Sequence, residues 1–323
     1  MKKVLLTILL IAVSISLIAC GEEESSNQEV NLGYFPNISH APAMIGIEKG
    51  IFEESFGEAT VNTKNFPNGS LFMDALSTGQ IDMGYVGPGP ALNRFLQGGE
   101  VVMIGNASKG ENVLVVRNDI EFNDVKDLDG KIVATPSTGC THDLIFRKML
   151  EENGMSVEEN GGKVKRIAQK PATMIGLFQQ KQIDAAMVSE PWASQMESKG
   201  VARVVRDVKE VPWKGDIPAA VLVARKDFVE SNPEIIEKFI ASNEQAVEYI
   251  NNNKEEIEGI VSKQIKSITN QEIEKEIINS SLNRVEYSTE VNKEILQEFA
   301  NLSKSLGFIE GDSDLGKFFG NNL

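Results

Sequence analysis

The chain has 323 residues, 41% of them hydrophobic, with 27 glycines and 11 prolines. That is enough for two ordinary domains or one large one, and it excludes a disordered or fibrous chain. A formal charge of −15 excludes a sequence-independent grip on nucleic acid or on an anionic membrane surface, because either needs clustered lysine and arginine.

In chain order, residues 1–20 read as a targeting signal: Lys2 and Lys3, an apolar run from Val4 to Ile18, then small Ala19 before Cys20. The run is short for a permanent span. Leu17-Ile18-Ala19-Cys20 resembles the lipobox of bacterial lipoproteins. That resemblance implies acylation of the Cys20 thiol, cleavage that leaves Cys20 as the new N-terminus, and a lipid anchor on the extracytoplasmic face of the bacterial cell membrane. Residues 21–29 then form a polar tether. With Cys20 lipidated, only Cys140 remains of the 2 cysteines, so no intramolecular disulfide supports the fold.

From Val30 the pattern predicts strand (Val30 to Tyr34), helix (Ala41 to Lys49), strand (Thr60 to Phe66), helix (Leu71 to Ser77), strand (Asp82 to Val86) and helix (Ala91 to Gln97). The order returns later: strand (Lys131 to Thr135), helix (Thr141 to Asn153), strand (Val164 to Ala168), helix (Ala172 to Gln180), strand (Ala185 to Val188). Gln80-Ile81-Asp82 recurs as Gln182-Ile183-Asp184, Val86 as Val188 and His40 as His142, all 102 positions apart. Each unit can form its own small doubly wound parallel sheet, which predicts an α/β protein of two lobes. Two near-twin strands, Val113 to Asp119 and Val221 to Asp227, bracket the second unit and are expected to carry the chain out and back as a hinge of two crossing strands. The lobes are expected at 30–116 with 222–323, and at 117–221. Asn232-Pro233-Glu234 opens a long amphipathic helix, Thr269-Asn270-Gln271-Glu272 fits a capping box, and the acidic helical tail is expected to wrap the first lobe.

In open parallel sheets, ligands gather beyond the C-terminal ends of the strands. One lobe offers Tyr34, Asn37, His40, Asn68, Ser70, Gly87 and Pro88 there; the other offers Ser137, Thr138, Thr141, His142, Glu190 and Trp192, with Trp213 on the return. The turn from Pro136 to His142 leads into a helix whose first N–H groups have no internal partner and favour an anion. Thr138 and Thr141 have two readings, as helix caps or as ligand contacts. Lys170 is either a solvated loop lysine or a ligand contact, and the two tryptophans either pack in the core or face the cleft. Both histidines sit at helix starts, which disfavours protonation. Metal-ligand spacings, a nucleophile elbow, a Walker loop and a dinucleotide fingerprint are all absent, so neither a metal, a cofactor nor a catalytic residue is expected.

Asn31-Leu32-Gly33-Tyr34-Phe35-Pro36, His40-Ala41-Pro42, Glu48-Lys49-Gly50-Ile51-Phe52, Gly79-Gln80-Ile81-Asp82 and Ser189-Glu190-Pro191-Trp192 together resemble the nitrate/sulfonate/taurine substrate-binding proteins of ABC importers. The resemblance implies a type II periplasmic-binding fold that closes on a small anionic organic solute and delivers it to a membrane permease, as a monomer. Ser137, Thr138 and Thr141 match the hydroxyl-rich turn of sulfonate binders, although Gly139 and Cys140 interrupt it. Relatives on the same fold bind thiamine pyrimidine precursors or phosphonates, and a pyrimidine-forming enzyme on this fold is the alternative from another class.

Overall fold

The computed structural model describes residues 28–321 and 323. The signal segment, Cys20 and most of the tether lie outside the described residues. The first unit runs β1 (Glu29–Tyr34), α1 (Ala41–Glu48), α2 (Ile51–Phe56), β2 (Thr60–Asn65), α3 (Gly69–Ser77), β3 (Met83–Val86), α4 (Pro88–Leu96) and β4 (Val101–Gly110). The second runs β5 (Val113–Arg117), β6 (Ile132–Thr135), α5 (Thr141–Glu152), β7 (Lys165–Ala168), α6 (Pro171–Gln179), β8 (Ala185–Val188), α7 (Trp192–Ser198) and β9 (Ala202–Arg206). Then follow β10 (Pro218–Arg225), α8 (Lys226–Ser231), α9 (Pro233–Asn252), α10 (Lys254–Thr269), α11 (Lys275–Leu282), β11 (Val285–Tyr287) and α12 (Lys293–Ser305).

These strands form two sheets, ordered β11-β4-β10-β3-β1-β2 and β7-β6-β8-β5-β9. Within each, a parallel trio has its first strand in the middle: β1 pairs with β2 and β3, and β6 with β7 and β8. The third strand of each trio is buried throughout, as an uninterrupted apolar run covered on both faces should be. Polar, exposed β2 is an edge. Gly33 and Gly84 sit opposite each other in this ladder, where a Cβ on Gly84 would lie 2.1 Å from the Gly33 carbonyl oxygen.

The near-twin strands are not a pair of hinge strands. β5 lies antiparallel to β8 in the second sheet, and β10 lies antiparallel to β3 in the first. Val113 faces Val188 as Val221 faces Val86. Each sheet therefore takes its fourth strand from the chain that has just left the other sheet. The crossings precede these strands, at Glu111-Asn112 and in the stretch before Pro218, so residues 113–116 belong with the second sheet and 218–221 with the first, against the expected boundaries.

Two local expectations also change. Helix α4 starts at Pro88, not Ala91, because proline at the first position has no N–H to satisfy and Gly87 supplies the extended N-cap. Thr269 ends α10, with Asn270 as its left-handed C-cap at φ 57, so the 269–272 capping box is not formed. The tail does cover the first sheet: Phe239 of α9 packs 5.9 Å from Phe52, and Asn243 Nδ2 donates to the Asn106 carbonyl at 3.0 Å. It also reaches the second lobe, where the Ser281 hydroxyl and the Arg284 guanidinium meet Glu190 at 3.1 and 2.6 Å.

Candidate functional site

The turns after the parallel strands of both sheets enclose a cavity of about 30 Å³, room for roughly two water molecules. Helices α3, α4, α5 and α6 all begin at its wall, through Gly69, Gly87, Thr141 and Pro171. Their dipoles give the cavity positive ends, with N–H groups left open at the starts of α3 and α5 but none in the Pro88-Gly89-Pro90 start of α4, where the Gly89 N–H is taken by Thr141; no lysine or arginine is among the bordering residues. A wider surface hollow beside Gly79, Arg94 and Lys226 is open, and those two cations are already paired with Asp74 and Glu100.

Two bonds close the lobes across the mouth. The Gly89 N–H donates to Thr141 Oγ1 at 3.1 Å, and Asn93 Nδ2 donates to the Gly139 carbonyl at 2.9 Å. Only glycine permits this approach: a Cβ on Gly89 would sit 2.6 Å from the Thr141 nitrogen, and one on Gly87 2.5 Å from Thr141 Oγ1. Nearer the crossings, the Ile38 N–H donates to the Glu190 carbonyl at 3.1 Å, and the Trp192 indole N–H donates to Asn37 Oδ1 at 3.0 Å.

Of the residues expected in the cleft, Asn37, His40, Asn68, Gly87, Thr141 and His142 border the cavity. Asn68 also caps α3, its side chain accepting from the Leu71 N–H at 3.1 Å. His40 stacks on Phe35 with ring centroids 4.5 Å apart, and its Nδ1 accepts from the Phe35 N–H at 3.4 Å. Burial lowers His40 to about 3 and His142 to about 4, so both imidazoles are neutral at pH 7. His142 Nε2 has no partner.

The other expected residues lie elsewhere. Tyr34 ends β1 in the core, Pro88 is buried in the first turn of α4, and Ser137 is buried without bordering the cavity. Ser70 and Thr138 are exposed, and Thr138 Oγ1 accepts from Arg166 Nη2 at 3.0 Å. Glu190 is fully buried but consumed by Arg284, the Ser281 hydroxyl and the Ser194 N–H. Trp192 is a strut between lobes. Trp213 packs on Phe299 and donates to Glu298 at 2.9 Å, away from the cavity. Lys170 is the exposed N-cap of α6.

Sequence reasoning missed Glu111, which borders the cavity at the first crossing. A lone acid between two apolar strand runs was the available signal, but nothing local told that it would be buried. Cys140 also reaches the wall, as a thiol: burial first, and Asp143 second, push it up to about 11.

A helix-start cavity closed between two exchanged-strand sheets defines the class of two-lobed periplasmic-binding proteins. The chain belongs to the NMT1-like family, whose model matches residues 23–263. It is 29% identical over 245 residues to a binding protein of Brucella abortus, covering 75% of this chain and 73% of that one. It is also 29% identical over 217 residues to the taurine-binding periplasmic protein of Escherichia coli, covering 67% and 65%. Its fold matches the alkanesulfonate-binding protein SsuA of Xanthomonas axonopodis pv. citri, bound to MOPS, with a TM-score of 0.76 at 16% identity, covering 88% of this chain and 94% of that one.

Proposed function

We propose that the chain is the extracytoplasmic solute receptor of an ABC importer, closing its lobes on a small organic anion of the alkyl sulfonate, taurine or nitrate class and delivering it to the permease. The observation that carries this reading is the convergence of four helix N-termini on one cavity between the lobes. The names of the Escherichia coli and Xanthomonas proteins support the solute class. The protein works as a binder and not as an enzyme, as a monomer, anchored through acylated Cys20; the lipobox supports the anchor. Among the described residues no helix is long and apolar enough to cross a membrane, and no group of three His, Cys, Asp or Glu is placed to hold a metal.

The test is a thermal-shift screen of the full chain in detergent against alkanesulfonates, taurine, nitrate, phosphonates and thiamine pyrimidines. A solute at a hundredfold its Kd stabilises the protein by about 2.7 kcal/mol. A shift by a sulfonate, taurine or nitrate is the expected result. A panel without any shift, or turnover of a member, overturns the reading.

A further inference from the structure

One acid at the cavity wall has no ion pair and keeps a carboxylate oxygen without a hydrogen-bond partner. Glu111 lies at the crossing from β4 to β5, with its backbone in the left-handed region at φ 57. Its N–H donates to the Arg284 carbonyl at 2.8 Å, which fixes the peptide. The side chain is 2% exposed, borders the cavity, and its Oε2 has no hydrogen-bond partner.

Every charged or titratable neighbour leaves that carboxyl uncompensated. Glu190 adds a like charge, and its own basic partner, Arg284, is turned to Glu190, Glu197 and Asp207. The Tyr287 phenol is buried and pushed well up by that burial and by Glu111. His40 and His142 are neutral, and the Cys140 thiol is protonated. Ser39 tempers the effect without reversing it, so burial holds Glu111 up at about 8. The cavity wall thus holds an acid without an ion pair and with Oε2 unpartnered, an unpartnered imidazole nitrogen of His142, and no cationic side chain.

We propose that Glu111 is the specificity-determining residue of the cleft and that it selects solutes carrying a protonated nitrogen with N–H donors, an ammonium or amidinium. This rests on the reading of the cavity as the solute cleft. A cation there supplies the missing partner and stabilises the carboxylate, so the proton that Glu111 holds at pH 7 passes to buffer as the solute enters. The unpartnered Nε2 of neutral His142 accepts a remaining N–H group without opposing the charge, whereas the acceptor nitrogen of His40 is already used by the Phe35 N–H. An anion at the helix starts and a cation at Glu111 are then two ends of one small zwitterion.

The experiment is calorimetric titration of the full chain in detergent with pairs of equal size that exchange an ammonium for a methyl group: 2-aminoethanesulfonate against propanesulfonate, and 3-aminopropanesulfonate against butanesulfonate. The aminated member is expected to bind at least about tenfold more tightly, in keeping with a buried charged hydrogen bond. Titrations at pH 7 in two buffers of different ionisation enthalpy should show proton release with the aminated member alone. Glu111→Gln should erase the preference while leaving the methyl congener within about twofold, and Glu111→Asp should retain part of it. Equal affinities within each wild-type pair, or a preference that survives in Glu111→Gln, overturn the proposal but leave the receptor standing. Binding by neither series, with nitrate or another solute of the wider screen still bound, has the same effect. Failure of every solute in both experiments removes the receptor reading as well.

Discussion

Glu111, His40 and His142 face one cavity, yet burial moves the acid and the imidazoles in opposite directions, and their effects on stability have opposite signs. Glu111 rises to about 8, so the folded state keeps a proton that the unfolded chain has lost. Its contribution is full below the ordinary carboxyl range near pH 4.5 and is lost as pH rises through about 8. The histidines fall to about 3 and about 4; their contribution is present above pH 6.5 and is lost as pH falls through those values. Glu111→Gln should therefore become more stable than wild type on the alkaline side, by an order of a few kcal/mol at pH 8, with little difference at pH 4. Denaturant unfolding across that range checks this; parallel curves for the two proteins would mean that the acid is not held protonated by the fold. Sequence placed both histidines at helix starts and expected them neutral from the helix dipole; in the structure it is burial that holds them neutral. Glu111 escaped the sequence reading because its burial is made by Ser39, Tyr287 and the loop before β11, which are distant in the chain.

Among the elements, the exchanged strands carry a lock that appears twice. Asp82 accepts from the Asn31 N–H at 2.9 Å and pairs with Arg225 at 3.2 Å; Asp184 accepts from the Ile132 N–H at 2.9 Å and pairs with Arg117 at 3.0 Å. The repeated Gln-Ile-Asp is thus a joint between the start of the central strand and the arginine ending the incoming fourth strand, and it does not border the cavity. Asp82→Asn and Asp184→Asn should each destabilise by about 1–3 kcal/mol, the cost of weakening a charged hydrogen-bond node, with solute affinity unchanged. Urea unfolding and titration together test it; a loss of affinity without loss of stability would return these acids to the site. The repeat and the order of nearly all its elements were readable, since hydrophobic period and turn residues report local structure. The pairing of β5 and β10 was not, because two similar apolar runs fit either sheet equally well and only the crossings decide.

At the scale of the molecule, the cavity between the lobes is about 30 Å³, smaller than any of the proposed organic solutes, so the lobes must separate for one to enter. The bonds from Gly89 and Asn93 to the α5 start hold the mouth shut. Asn93→Ala should lower the closed population and weaken any solute by about five- to tenfold, corresponding to one lost hydrogen bond of about 1 kcal/mol or slightly more. Small-angle scattering should show a larger radius of gyration for the ligand-free variant. An unchanged radius and affinity would mean that the mouth bonds contribute nothing to closure.

The sequence by itself determined two repeated α/β units, the turns that end their strands and the helices that start beside a cleft, because period, capping and turn chemistry act over a few residues. It also carried the family through scattered local motifs. Only the tertiary structure decided which side chains those turns aim inward. It drew Thr138 to Arg166, Glu190 to Arg284 and Trp213 to Glu298, and it left Glu111 Oε2 without a partner at the cavity wall. A side chain's partner is set by segments that meet across hundreds of positions, and no local pattern encodes that meeting.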